Sequence, residues 1–191
     1  MDKTNGNNKT ISAKKISLMA MFIALISVGA MLSIPVPPVP FTLQTLFVLA
    51  AGALLGGVEG FICVVIYIMM GLFGLPVFAN FGGGFAYALK PSFGFTIGFA
   101  FGALFTGLII NKSQKPSYLR IILAVLVGTV TIYLFGISYY IVLKLVYLGG
   151  AIDMWNVFLT FWIMFIPTDI VKGAVVVFVT KKVRPLVTKA F

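Results

Sequence analysis

Residues 16–34 form an apolar run of 19 without one charged side chain, and similar runs recur at 42–57, from 61 to about 73 or 77, at 92–110 and from 118 onward. A bilayer core about 30 Å thick takes roughly 20 apolar residues per spanning helix, so this repetition dictates a chain that crosses a membrane several times. Composition agrees. Only 9% of the residues are charged and the mean hydropathy is +1.13, whereas soluble domains carry about a quarter charged residues. The lone Cys63 excludes a disulfide scaffold, and 19 Phe with few polar tracts exclude a disordered chain. The open question is what the few polar residues inside the runs do.

The runs are punctuated by strong breakers. Four prolines in Pro35-Val-Pro-Pro-Val-Pro40 end the first, Gly56-Gly57-Val58-Glu59-Gly60 makes the next turn, and a Gly-rich aromatic connection spans 76–91. Asn111-Lys-Ser-Gln-Lys-Pro116 closes the fourth run. Residues 118–183 number 66, too many for two spans and a tight loop. Gly149-Gly150 interrupts them, and Pro167-Thr168-Asp169 has the character of a helix start. The reading is a fifth helix from 118, an irregular or tilted segment over 139–166, and a sixth helix from Pro167. A single sixth helix over 154–180, kinked at Pro167, is the alternative. The fold class is therefore an all-α integral membrane protein with six transmembrane helices. Residues 1–12 read as a disordered cytoplasmic tail, and 13–191 as one six-helix transmembrane domain, which the family resemblance given below makes substrate-binding.

Fourteen Lys and Arg against four Asp and Glu give a net charge of +10. Eleven of those cations lie in three short stretches: Lys3, Lys9, Lys14 and Lys15; Lys112, Lys115 and Arg120; and Lys181, Lys182, Arg184 and Lys189. That is the distribution of orientation signals and anionic-lipid contacts, which puts both termini in the cytoplasm and makes the bilayer, not nucleic acid, the partner. A cleaved signal peptide does not fit the first run, which is long and followed by prolines.

The chemistry available is limited. No Gly-x-x-x-x-Gly-Lys-Ser/Thr phosphate loop occurs, so the chain is not itself the ATPase of a pump. Without His, with one Cys and with four carboxylates, neither a metal cluster nor a nucleophile–base pair can be read, and the chain is not read as an enzyme. Asp169 and Lys172 share a helix face. Ionisable groups inside spans mark a polar cavity or a substrate path, although a neutralised bridge that fixes packing is the competing reading. Asn80 either offers an amide to a polar head group or serves as a turn residue. Phe78, Phe81, Phe85 and Tyr87 around it wall a pocket or form an interfacial belt. Gly52, Gly56 and Gly60, like Gly94, Gly98 and Gly102, repeat every four residues and favour close helix packing. Ser17, Ala20, Ala24 and Ser27 line one face of the first helix, facing another subunit or the chain's own bundle.

Three segments taken together resemble one family: Val36-Pro-Pro-Val-Pro-Phe-Thr-Leu-Gln-Thr45, Gly74-Leu-Pro-Val-Phe-Ala-Asn80 with Gly82-Gly83-Gly84, and Ile166-Pro-Thr-Asp-Ile-Val-Lys172. They look like the BioY family, the biotin-binding S components of energy-coupling factor (ECF) transporters. The resemblance implies a six-helix S-component bundle in the bacterial cytoplasmic membrane, multi-pass. Its partners would be a transmembrane coupling protein and two ABC ATPases, with biotin as transported ligand and no cofactor. It implies ligand contacts at Asn80, Asp169 and Lys172, with Gln44 shaping the pocket or its lid. In it, Asp169 accepts a ureido N–H, Asn80 pairs donor with acceptor, and Lys172 holds Asp169 charged or donates to the ureido carbonyl. Lys90 then meets the tail carboxylate, or the polarity is reversed with Lys172 on the carboxylate. Ala20 and Ala24 match the Ala-x-x-x-Ala coupling motif of S components. A departure is Ala88-Leu-Lys-Pro-Ser-Phe-Gly94, where the family commonly carries Gly-Pro-Thr-Gly-Gly-Tyr; contacts from Tyr87 and Lys90 depend on that stretch. An S component for another vitamin, or a membrane scaffold, are the alternative functions.

Overall fold

The computed structural model describes residues 13–113 and 115–147, residues 149, 153, 155 and 157, and residues 159–163 and 165–188. The expected tail, residues 1–12, lies outside them. Six helices are formed among the described residues: α1 (Ala13–Met31), α2 (Gln44–Leu55), α3 (Gly57–Leu72), α4 (Phe93–Asn111), α5 (Tyr118–Val146) and α6 (Ile166–Thr188). Of these, α1, α4 and α5 are long and apolar enough to cross a membrane. The 12 residues of α2 and 16 of α3 reach only about 18 and 24 Å at 1.5 Å per residue.

The helices run alternately between two ends of the bundle, and side-chain pairs fix which end is which. At one end Lys15 Nζ meets Glu59 Oε1 at 2.5 Å, joining the start of α1 to the start of α3. Arg184 Nη2 donates to Asn111 Oδ1 at 2.9 Å, joining α6 to α4, and Lys181 donates to the Pro116 carbonyl at 2.9 Å. Three of the eleven clustered cations thus also tie helix ends together, and Arg184 is buried rather than spread on a surface.

The opposite end carries the connections expected to be irregular. The proline-rich segment makes a small antiparallel ribbon, β1 (Ser33–Ile34) with β2 (Phe41–Thr42), a minor departure from an all-helical chain that the prolines conceal in sequence. The Gly-rich connection folds back on α3 through Gly84 N–H to the Gly71 carbonyl, 2.7 Å. It contains two short 3-10 turns, Ala79–Phe81 and Phe85–Leu89. Ser33 Oγ donates to Asn80 Oδ1 at 3.0 Å, bridging the ribbon to this connection.

The last third differs from the sequence reading at one boundary. No breaker stands between Tyr139 and Val146, so α5 continues to Val146 and reaches 29 residues. The irregular segment therefore starts later than residue 139. Most of 148–158 lies outside the described residues, and a π-helical turn, Leu159–Ile163, leads into α6. The start of α6 at Ile166 agrees with the Pro-Thr-Asp signal, while the alternative, one helix over 154–180 kinked at Pro167, falls partly outside the described residues.

The glycine repeats are helix contacts. A Cβ on Gly60 would lie 2.8 Å from the Gly52 backbone, so α2 and α3 cross where neither carries a side chain. The repeat Gly94, Gly98 and Gly102 on α4 faces Tyr139 and Ile132 of α5 in the same way.

Candidate substrate-binding site

A polar cavity opens between the ribbon, the Gly-rich connection, the starts of α2, α4 and α6 and the middle of α5. Its volume is about 40 Å³. It is a narrow slot. Its aromatic walls come from Tyr87, Phe95, Phe99 and Phe165, and its polar lining includes Gln44, Ser92, Thr96, Tyr133, Asp169 and Lys172.

The first turns of α6 supply the charges. Asp169 stands in the opening turn, where the positive end of the helix dipole favours an anion. One turn on, Lys172 donates to Asp169 Oδ1 at 2.8 Å, and both side chains are 9% exposed. Tyr133 of α5 donates to the other oxygen, Oδ2, at 2.6 Å. Both carboxylate oxygens are therefore held, one by a cation and one by a neutral phenol. Hydrogen bonds to an ionised group are the stronger kind, so this network fixes the carboxylate's direction.

Neutral groups complete the slot. Gln44, at the start of α2, donates its amide to Tyr67 Oη at 2.8 Å, and Tyr67 in turn donates to the Val77 carbonyl at 3.2 Å. Gln44 is thus locked by a buried partner. Ser92 Oγ donates to Tyr87 Oη at 3.3 Å. Phe78 lies tilted against Tyr87, centroids 4.4 Å apart, and edge-on to Tyr67 at 5.4 Å. Burial raises the Tyr87 phenol above its ordinary range, which keeps it a neutral donor and acceptor at any physiological pH.

Of the six residues singled out in sequence, four meet here: Gln44, Tyr87, Asp169 and Lys172. Asn80 and Lys90 do not line the slot. Asn80 is exposed in left-handed backbone (φ 56°) beside the lining residue Ala79. Lys90 is exposed, with its ammonium 4.7 Å from the centre of the Tyr87 ring. Among the four aromatics, only Tyr87 reaches the slot. Phe78 is core behind it, while Phe81 and Phe85 are exposed in the manner of a belt. On α1, Ala20 and Ala24 are exposed and Ser27 is buried, so the two alanines do not pack inside this bundle.

Tyr133 is the residue the sequence reading passed over. The available signal was a phenol 15 residues into a long apolar helix, far from the interface where tyrosines usually gather, whose hydroxyl needs a partner when buried. Phe165 and Phe95 were missed because an aromatic wall has no spacing signature. Among the described residues, no three His, Cys, Asp or Glu side chains gather as metal ligands.

An ion pair held by a phenol and walled by aromatics, inside an apolar bundle, has the chemistry of a site for a small amphipathic solute in a membrane protein. The chain belongs to the BioY family, whose model matches residues 3–189. It is 43% identical over 161 residues to the "Probable biotin transporter BioY" of Lysinibacillus sphaericus, covering 84% of this chain and 82% of that one. It is 37% identical over 174 residues to the "Probable biotin transporter BioY" of Pyrococcus horikoshii, covering 91% and 98%. Its fold matches the crystal structure of the S-component for biotin from an ECF-type ABC transporter with a TM-score of 0.78. The two are 27% identical, over 92% of this chain and 95% of that one.

Proposed function

We propose that the protein binds biotin and carries it across the bacterial cytoplasmic membrane as the S component of an ECF transporter. The observation that carries this reading is the buried Asp169–Lys172–Tyr133 network inside an aromatic slot, in a chain whose family relatives are named biotin transporters. Biotin has a ureido group with two N–H donors and a carbonyl, an apolar bicycle, and a tail ending in carboxylate. Asp169 accepts from a ureido N–H, Lys172 donates to the ureido carbonyl while balancing Asp169, and the aromatic walls take the bicycle. The tail points outward to Lys90, which leaves a second carboxylate away from Asp169. Asn80 acts from the rim, where its bond to Ser33 ties the two connections that flank the slot; entry of ligand requires these to part.

All six helices cross the membrane in this reading as a single unit, with the Lys15, Lys181 and Arg184 end in the cytoplasm. The basic stretches at that end support the orientation. Calorimetric titration tests the ligand: biotin should bind with a nanomolar dissociation constant, and thiamine or riboflavin should not bind. Lys90→Ala should weaken biotin about fivefold, as expected for one partly exposed charge pair, and leave biotin methyl ester unaffected. Tight binding of thiamine instead would move the protein to another vitamin, and no binding of any of them would favour a scaffold.

The partners follow from what the chain lacks and what it exposes. In the ECF reading two ABC ATPases, joined to it through a transmembrane coupling protein, supply the phosphate loop that this sequence lacks. The surface offered to that protein is the small-residue face of α1, where Ala20 and Ala24 permit close helix approach. A variant with Ala20→Leu and Ala24→Leu should bind biotin in detergent as the wild type does, yet fail to co-purify with the coupling protein and ATPases. Retention of the complex by this variant would put the docking surface elsewhere.

A further inference from the structure

A second cavity lies outside the polar slot. It is a groove between α5 and α6 of about 810 Å³, lined almost wholly by apolar side chains such as Ile122, Val130, Ala174 and Val177. Gly173 widens it, since a Cβ there would meet only Val125 Cγ1, at 3.3 Å. The groove runs from Tyr118 and Phe178 at the basic end of the bundle past Tyr133 and Asp169 in its middle. Tyr118 and Tyr133 are 15 residues apart on one helix, or about 22 Å. That exceeds the roughly 15 Å of hydrocarbon in one leaflet.

The mouth of the groove is charged. Lys181 Nζ stands 4.9 Å from the centre of the Tyr118 ring, and Lys182 Nζ stands 4.4 Å from that of Phe178. Both rings line the groove, so two ammonium groups flank the entrance to an apolar groove. From this we infer that the groove binds an anionic phospholipid, one acyl chain between α5 and α6 and its phosphate against Lys181 and Lys182. A second copy of this chain is a poor occupant. Parallel insertion would bring its own Lys181 and Lys182 beside these, with no acid among the described residues of the mouth to offset them.

Native mass spectrometry of the full chain, taken from vesicles of equal phosphatidylglycerol and phosphatidylcholine, tests the assignment. The wild type should retain one phosphatidylglycerol in clear preference. Lys181→Gln and Lys182→Gln should each lower that preference roughly fivefold. Ala174→Phe, which places a ring in the groove, should lower retention of both lipids while eluting as a monodisperse species. Equal retention of the two lipids by the wild type overturns the inference. So does unchanged retention by Ala174→Phe, which would mean headgroups gathering on a basic surface, and so does a dimer free of lipid. Biotin titration of the same preparations reports on the polar slot independently, so failure of one assignment does not read as failure of the other.

Discussion

Asp169→Asn should lower biotin affinity by at least about 100-fold, close to 3 kcal/mol at 1.4 kcal/mol per decade, and should lower the thermal midpoint as well. Both effects come from one cause. The carboxylate holds Lys172 on one oxygen and Tyr133 on the other, in a place where the charged side chains are 9% exposed. An amide of the same shape keeps one acceptor and loses the charge. Lys172 is then a buried cation without a counter-ion, and breaking such a pair typically costs about 3–5 kcal/mol. Tyr133→Phe is the milder counterpart. It removes one hydrogen bond to an ionised group, worth about 1.5–3 kcal/mol, and leaves the ion pair standing. Combining Asp169→Asn with Lys172→Met separates binding from folding. The double variant buries no charge at this point, so its thermal midpoint should recover toward that of the wild type while biotin binding stays lost. Calorimetry and thermal unfolding on the four proteins decide the matter. Full biotin affinity in the double variant would make the pair a packing bridge and remove it from the ligand.

The pair was legible in sequence because its evidence is local: two ionisable residues at i and i+3 inside an apolar run need no knowledge of the fold. Tyr133 was not, since it meets Asp169 across 36 residues from another helix. Nothing in the sequence of α5 distinguishes it from Tyr139 and Tyr140. The length of α5 was underestimated for a related reason. Counting about 20 residues per span ends a helix where the bilayer ends, but backbone hydrogen bonding continues until a breaker appears, and none stands between Tyr139 and Val146. Arg184 shows the limit of reading charge by position. It was counted with the juxtamembrane cations, yet it is buried and bonded to Asn111, tying α6 to α4. Breakers and charge clusters gave the helix order and the basic end. Contacts between distant segments exist only in the folded chain.

Gly107→Val should be the most destructive single change to the bundle, with little folded protein recovered from membranes. On α4, a Cβ at Gly107 would collide with the Gly57 backbone of α3 and the Gly52 carbonyl of α2. The contact is reciprocal. A Cβ on Gly57 would lie 2.5 Å from the Leu104 carbonyl, and one on Gly52 would strike the Ala103 backbone. Three helices therefore meet backbone to backbone, and no flexible side chain is available to yield. Overpacking ordinarily costs about 1–3 kcal/mol because neighbours shift; here relief requires separating helices, so the cost belongs at or above the top of that range. The consequence reaches the slot, because α2 carries Gln44 and is too short to be held by its own length. Gly173→Ala is the control. It adds a methyl where only one side-chain atom is near, at 3.3 Å, and gains up to about 1 kcal/mol of helix propensity. Its thermal midpoint should match or exceed that of the wild type, while Gly107→Val should elute from size exclusion mainly as aggregate. A wild-type midpoint for Gly107→Val would mean that α2, α3 and α4 can move apart at this crossing, and the position of Gln44 would then have to be set by its bond to Tyr67 alone.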